Sequence, residues 1–191
     1  MPDTDPNQVR LTGENSFIRL FLIQDGPQLT RVSHWRILYS PEGQGHVLFI
    51  QSDVTDDQVR IYSDNTPMTR WLQSEIESLL YPPFAATDLP ILPATFERTG
   101  DSRTQWTEIV HAAADRVTLT WSDFAEPFML TIGAGSVPNR PHGVYSCFIP
   151  ARRAQVALNN RTAAGQPFPQ KRGDKDSSTA CLALSETWVR P

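Results

Sequence analysis

Two glutamates stand where a strand would ordinarily place apolar side chains. In Thr179–Val189 the even positions are Ala180, Leu182, Leu184, Glu186 and Trp188, so a regular strand sets Glu186 on one face with two leucines and a tryptophan. In Gln105–Ala112 the even positions are Trp106, Glu108, Val110 and Ala112, and Glu108 is set among apolar neighbours in the same way. A carboxyl that loses water without gaining a cation prefers its neutral form. Its pKa then climbs toward neutrality, where it can both give and take a proton. That is the equipment of acid–base chemistry without a cofactor. The competing readings are an ion pair with an arginine from a neighbouring strand, such as Arg19, Arg31 or Arg36, and a face that is solvated after all.

The segment Leu29–Tyr39 adds a second signal. One of its faces carries Leu29, Arg31, Ser33, Trp35, Ile37 and Tyr39, and the other carries Thr30, Val32, His34, Arg36 and Leu38. Both faces mix polar and apolar groups, as the wall of a ligand cavity does when a few polar anchors interrupt an apolar lining. The expected site therefore joins Glu186 and Glu108 with His34 and Tyr145 as proton-transfer groups. Arg36, Trp35, Trp106 and Trp188 are the expected binding groups. His142, held between Pro141 and Gly143, belongs at the rim.

Other chemistries lack their motifs. Gly133-Ala134-Gly135 begins like a dinucleotide fingerprint, but Pro138 stands where the third glycine should fall, and more proline follows in place of a helix. No phosphate-binding Gly-Lys loop, serine elbow, His-Glu-x-x-His helix or pair of Cys-x-x-Cys motifs occurs. The four histidines, His34, His46, His111 and His142, include no pair separated by one residue, the spacing that would put two imidazoles on one strand face. No metal and no cofactor are expected. Cys147 and Cys181 fall in apolar strand-like segments and read as reduced core residues, with a disulfide only if their strands adjoin in an oxidising compartment.

A net charge of −4 and a pI near 5.5 argue against nucleic acid or an anionic membrane as partner, because both reward clustered Lys and Arg. The acidic start Met1-Pro2-Asp3-Thr4-Asp5-Pro6 lacks the basic and apolar regions of a secretory signal, and no segment has the ~20 apolar residues of a membrane-spanning helix. The expected setting is the cytoplasm and the expected partner a small molecule. The oligomeric state is open, a homodimer included.

The elements that must hold these residues follow a period of two. Strand-like segments rich in Val, Ile, Thr, Phe, Tyr and Trp run from Ser16–Gln24 to Thr179–Val189, bounded by Gly, Pro, Asn and Asp. Turns such as Gln24-Asp25-Gly26-Pro27 are too short for parallel crossovers, so consecutive strands must pair antiparallel. One segment departs from this period. Thr66 reads as an N-cap, Pro67 as a first-turn residue, and Met68, Trp71, Leu72, Ile76, Leu79 and Leu80 as one apolar stripe, leaving Gln73 and Glu77 mostly outside it. This helix is expected to lie against the sheet or to close one end of a barrel.

All 191 residues fit one all-β domain, with residues 1–12 expected as a flexible N-terminus and residues 159–178 as a long loop or lid. A closed barrel with an interior pocket is favoured over a sandwich. Its strand pattern resembles, at the level of fold, the calycin or lipocalin-like barrels, a resemblance that carries no residue or activity with it. The functional expectation is acid–base chemistry of lyase, isomerase or hydrolase type on a small, partly apolar molecule. A carrier or sensor without chemistry and a structural interaction module are the alternatives.

Overall fold

The computed structural model describes residues 8–138 and 140–190. The first strands form the expected meander, with β1 (Val9–Phe21), β2 (Gln28–Tyr39), β3 (Gly45–Gln51) and β4 (Arg60–Ser63) each antiparallel to the one before. Next comes the helical segment: α1 (Thr66–Leu72), one π turn (Gln73–Glu77), α2 (Ser78–Leu80) and a short 3-10 turn (Pro82–Ala85). This excursion is long enough to carry the chain back over the sheet, so β5 (Ile91–Gly100) pairs parallel to β4. β6 (Gln105–Ala112) and β7 (Arg116–Phe124) restore antiparallel pairing, and β8 (Phe128–Ile132) follows.

Closure depends on the long strand β9 (Gly143–Leu158). Its second half pairs with β7, while its first half lies between β8 and β13 (Ala180–Val189). β13 pairs with β1 and completes a closed ring of nine strands. Closing the ring leaves none of these strands as a free edge.

The period-two pattern sorts side chains inside and outside. Ile18, Val32, Leu48, Ile50, Tyr62, Val110, Leu119, Trp121, Val156 and Leu182 join one buried cluster to which the strands around the ring contribute. A packed apolar core of this kind fills much of the space where an interior pocket was expected. The helical segment lies on the outer face, where Met68, Leu72 and Ile76 pack on Trp35, Ile37, Val47, Phe49 and Trp188. Its N-cap is Asn65, whose side chain accepts from the Met68 amide, one residue before the expected Thr66. Gln73 and Glu77, expected outside the apolar stripe, are fully buried: Gln73 follows the buried Thr69 by one helical turn, and the π turn adds a residue to the repeat and swings Glu77 inward after it.

Three further departures matter for the site. Val9–Thr12, expected in a flexible N-terminus, is the start of β1 and pairs with β13; residues 1–7 of that expectation lie outside the described residues. The segment 159–178 is not a structureless loop. It holds β10 (Arg161–Thr162) and a separate hairpin of β11 (Pro169–Arg172) and β12 (Lys175–Ser178). Cys147 and Cys181 do lie on adjoining strands, but Cys147 faces Leu184 and Cys181 faces Pro150, and both thiols are free. Among the described residues no helix is long and apolar enough to cross a membrane.

Candidate functional site

The strand that carries Glu186 is not regular. Between Leu184 and Thr187 the register of β13 against β9 shifts, and Ser185 takes a left-handed conformation at φ 52°. Leu182 and Leu184 therefore belong to the interior cluster, whereas Glu186 and Trp188 point to the outer face. The expectation that all of them share one face is corrected by this bulge. A one-residue insertion reverses the side of every residue beyond it.

Glu186 lines a cavity of about 250 Å³ on the outside of the barrel. The floor comes from β1 and β2 through Asn15, Phe17, Arg19, Arg31 and Ser33. Leu80 ends the helical segment on one side, and Leu130 and Ile132 of β8 stand on another. Arg172, near the tip of the β11–β12 hairpin, reaches over it, with its guanidinium 5.4 Å from the ring centre of Phe17 and 5.3 Å from that of Phe148. The hairpin turns tightly at Gly173, whose φ of 62° suits the first central position of a type II′ turn.

Glu186 is 3% exposed. Its Oε1 accepts a 2.6 Å hydrogen bond from Trp188 Nε1. Burial pushes its pKa up to about 7, against the opposing effects of that hydrogen bond, of Ser146 and of the Arg172 charge. The group is thus poised to exchange a proton near neutrality.

A second carboxyl lies close behind. Glu77 Oε1 accepts from Ser33 Oγ at 2.6 Å and from Trp35 Nε1 at 2.7 Å, while its Oε2 is buried without a partner. Burial raises its pKa as well, and the fields of Glu77 and Glu186 reach one another. The expected pairing of Glu186 with Glu108 is thereby corrected: Glu108 is tied to Arg98 elsewhere, and the carboxyl beside Glu186 is Glu77. Ser33 joins them to the cavity, since its hydroxyl also meets Asn15 Oδ1 at 3.2 Å. Helical periodicity hid Glu77. Only the π turn, which sequence spacing does not announce, buries it.

The other expected residues divide between two places. Glu108, His34, Arg36 and Trp106 gather at one mouth of the barrel. There Glu108 Oε1 accepts from Arg98 Nε at 2.6 Å and from Trp106 Nε1 at 2.8 Å, and Arg98 also pairs with Glu14, which lies 3.8 Å from Arg36. The Arg98 guanidinium lies 4.4 Å from the Trp106 ring centre. His34 is buried beside Phe96 with Nε2 unpartnered, and burial lowers its pKa so that it stays neutral.

Trp35 and Trp188 lie on the outer face, 6.3 Å apart between ring centres. His142 packs on Trp188 and is held by Glu75 at 3.0 Å, behind the cavity wall and away from its rim. Tyr145 alternates with Val144 and Ser146 on β9 and so faces away from the cavity that Val144 lines. The histidines do not converge: His34 and His46 flank Phe96, His111 lies near Glu97, and His142 is tied to Glu75.

Fold and site together define a nine-stranded β-barrel with a cavity of mixed polar and apolar lining on its outer face. Comparison with protein-family models, with curated proteins and with solved structures returned no match.

Proposed function

We propose that this protein acts on a small, partly apolar molecule bound on the outer face of the barrel, with Glu186 giving and taking the proton. The observation that carries the reading is a single one: a buried carboxyl, titrating near 7, against a cavity of about 250 Å³. That volume lies just below the roughly 300–1,000 Å³ of drug-sized pockets, so the ligand is a compact metabolite and not a long lipid chain. Phe17, Leu80, Leu130, Ile132, Val144 and Phe148 supply its apolar walls. Acid–base reactions of lyase, isomerase or hydrolase type need no more from the protein than a positioned proton carrier and an anchored substrate.

The test is incubation with a metabolite extract, followed by mass spectrometry of the solution and of the recovered protein. Three proteins are compared: wild type, Glu186→Gln, and Leu130→Trp, which fills the cavity. The wild type should consume a species that Glu186→Gln retains unchanged and Leu130→Trp neither retains nor consumes. Equal consumption by folded wild type and Glu186→Gln rejects the proton role. Retention without consumption by both identifies a carrier, a reading favoured by the arginines around the same cavity.

A further inference from the structure

Arg19 and Arg31 are directly opposite each other in the β1–β2 register, and both line the cavity. Like charges in directly opposed cross-strand positions destabilise a sheet. Arg172 brings a third guanidinium over them from the hairpin, and Arg140 also lines the space. Burial, together with the fields of Arg31 and Arg172, lowers the pKa of Arg19 to about 10, which places all three within electrostatic reach.

Buried cations are normally paired. Among the described residues, none of Arg19, Arg31 and Arg172 forms an ion pair with a carboxylate. Arg19 donates to the neutral Gln170 side chain, Arg31 lies 5.1 Å from the ring centre of Tyr81, and Arg172 rests on two phenylalanines. The Nε of each is buried without a hydrogen-bond partner. The buried carboxyls nearby, Glu77 and Glu186, lie within electrostatic reach of Arg31 and Arg172 but pair with neither, and burial biases both toward the neutral form. Guanidinium forks of this kind match planar or tetrahedral oxyanions.

We infer that the cavity takes a small organic anion, its carboxylate or phosphate head held among Arg19, Arg31 and Arg172 and its apolar body lying against Phe17, Leu130, Ile132 and Phe148. The inference rests on the proposed use of this cavity and names the class of molecule that enters it. Arg172 then closes the site from the hairpin. Glu186, once ionised, competes with the bound anion for Arg172.

The experiment is calorimetric titration with benzoate, phenyl phosphate and benzyl alcohol, on the wild type and on Arg19→Met, Arg31→Met and Arg172→Met. One or both anions should bind at a single site while benzyl alcohol gives no saturable heat, and the tighter anion identifies the head group. Each Met variant should weaken that binding about tenfold or more, the scale expected when one partner of a buried charge pair is removed. Thermal stability of the ligand-free Arg19→Met and Arg31→Met proteins should hold or rise, since a repulsion is removed; arginines with a purely structural role would lower it. Should either β-sheet variant fail to fold, Arg172→Met, on the separate hairpin, carries the same test. Benzoate affinity of the wild type should fall as pH rises from 6 to 8, and the fall should be absent in Glu186→Gln.

Benzyl alcohol binding as tightly as the anions, or Arg→Met variants binding like the wild type, overturns anion recognition and leaves the cavity reading standing. No binding of any probe, together with identical metabolite retention by wild type and Leu130→Trp, overturns both.

Discussion

The barrel mouth and the outer-face cavity are built from the same local unit and reach opposite ends. In each, a glutamate and a tryptophan two residues apart share a strand face, and the indole N–H is donated to the carboxylate: Trp106 to Glu108 at 2.8 Å, Trp188 to Glu186 at 2.6 Å. What differs is the residue opposite. Glu108 faces Arg98 in register on β5, which neutralises it at 2.6 Å. Glu186 faces Gly13 on β1, which offers no side chain, and the bulge removes any regular partner on β9. The cations nearest Glu186 belong to the cavity and not to the carboxylate. A buried carboxyl is thus neutralised or left without a cation according to its cross-strand neighbour.

Breaking the mouth should have the largest effect. Arg98→Met leaves Glu108 and Glu14 without their shared cation and should cost about 3–5 kcal/mol of stability, read as a large fall in the denaturation midpoint. If the loss is below about 1 kcal/mol, the mouth network is not what holds Glu108 in the fold.

Next comes the pH dependence of the cavity carboxyl. Its ordinary value is 4.5 and its folded value about 7, so between these values the native state binds more protons than the unfolded chain. Stability of the ligand-free protein should therefore fall as pH rises through that window. Glu186 contributes roughly 3 kcal/mol to the fall at 1.36 kcal/mol per pKa unit. Glu186→Gln should flatten this slope and be more stable than wild type above pH 7, as denaturant titrations across the range would show. An unchanged slope would mean that Glu186 is solvated or already paired.

The smallest expected effect is at the bulge. Ser185→Gly relieves a left-handed residue at φ 52° and should stabilise by up to about 1 kcal/mol, while leaving anion binding unchanged. A loss of binding in this variant would show that the Ser185 side chain, and not only the bulge, positions Glu186.

Much of the frame was legible in the chain. Short turns and period-two alternation require antiparallel strands, and those strands form a closed barrel. The spacing of Met68, Leu72 and Ile76 requires a helix with one apolar face, and that face is buried on the sheet. Glu186 and Glu108 are visible as polar residues in apolar runs, and both are buried.

Sequence alone could not say which side of the barrel a residue faces once regularity breaks. The bulge at Ser185 moves Glu186 to the outer face, and the π turn points Glu77 from the helix toward that same face of the sheet; each inserts one residue into a repeat, and neither has a distinctive local composition. Arg19 and Arg31 appeared in the chain only as cations able to neutralise a glutamate. Pairing β1 with β2 sets them face to face, and folding back the hairpin of Arg172 encloses them. Local periodicity depends on neighbours two to four residues apart and can be read from the chain. The excess of charge in the cavity depends on residues more than a hundred positions apart, brought together only when the ring of strands closes.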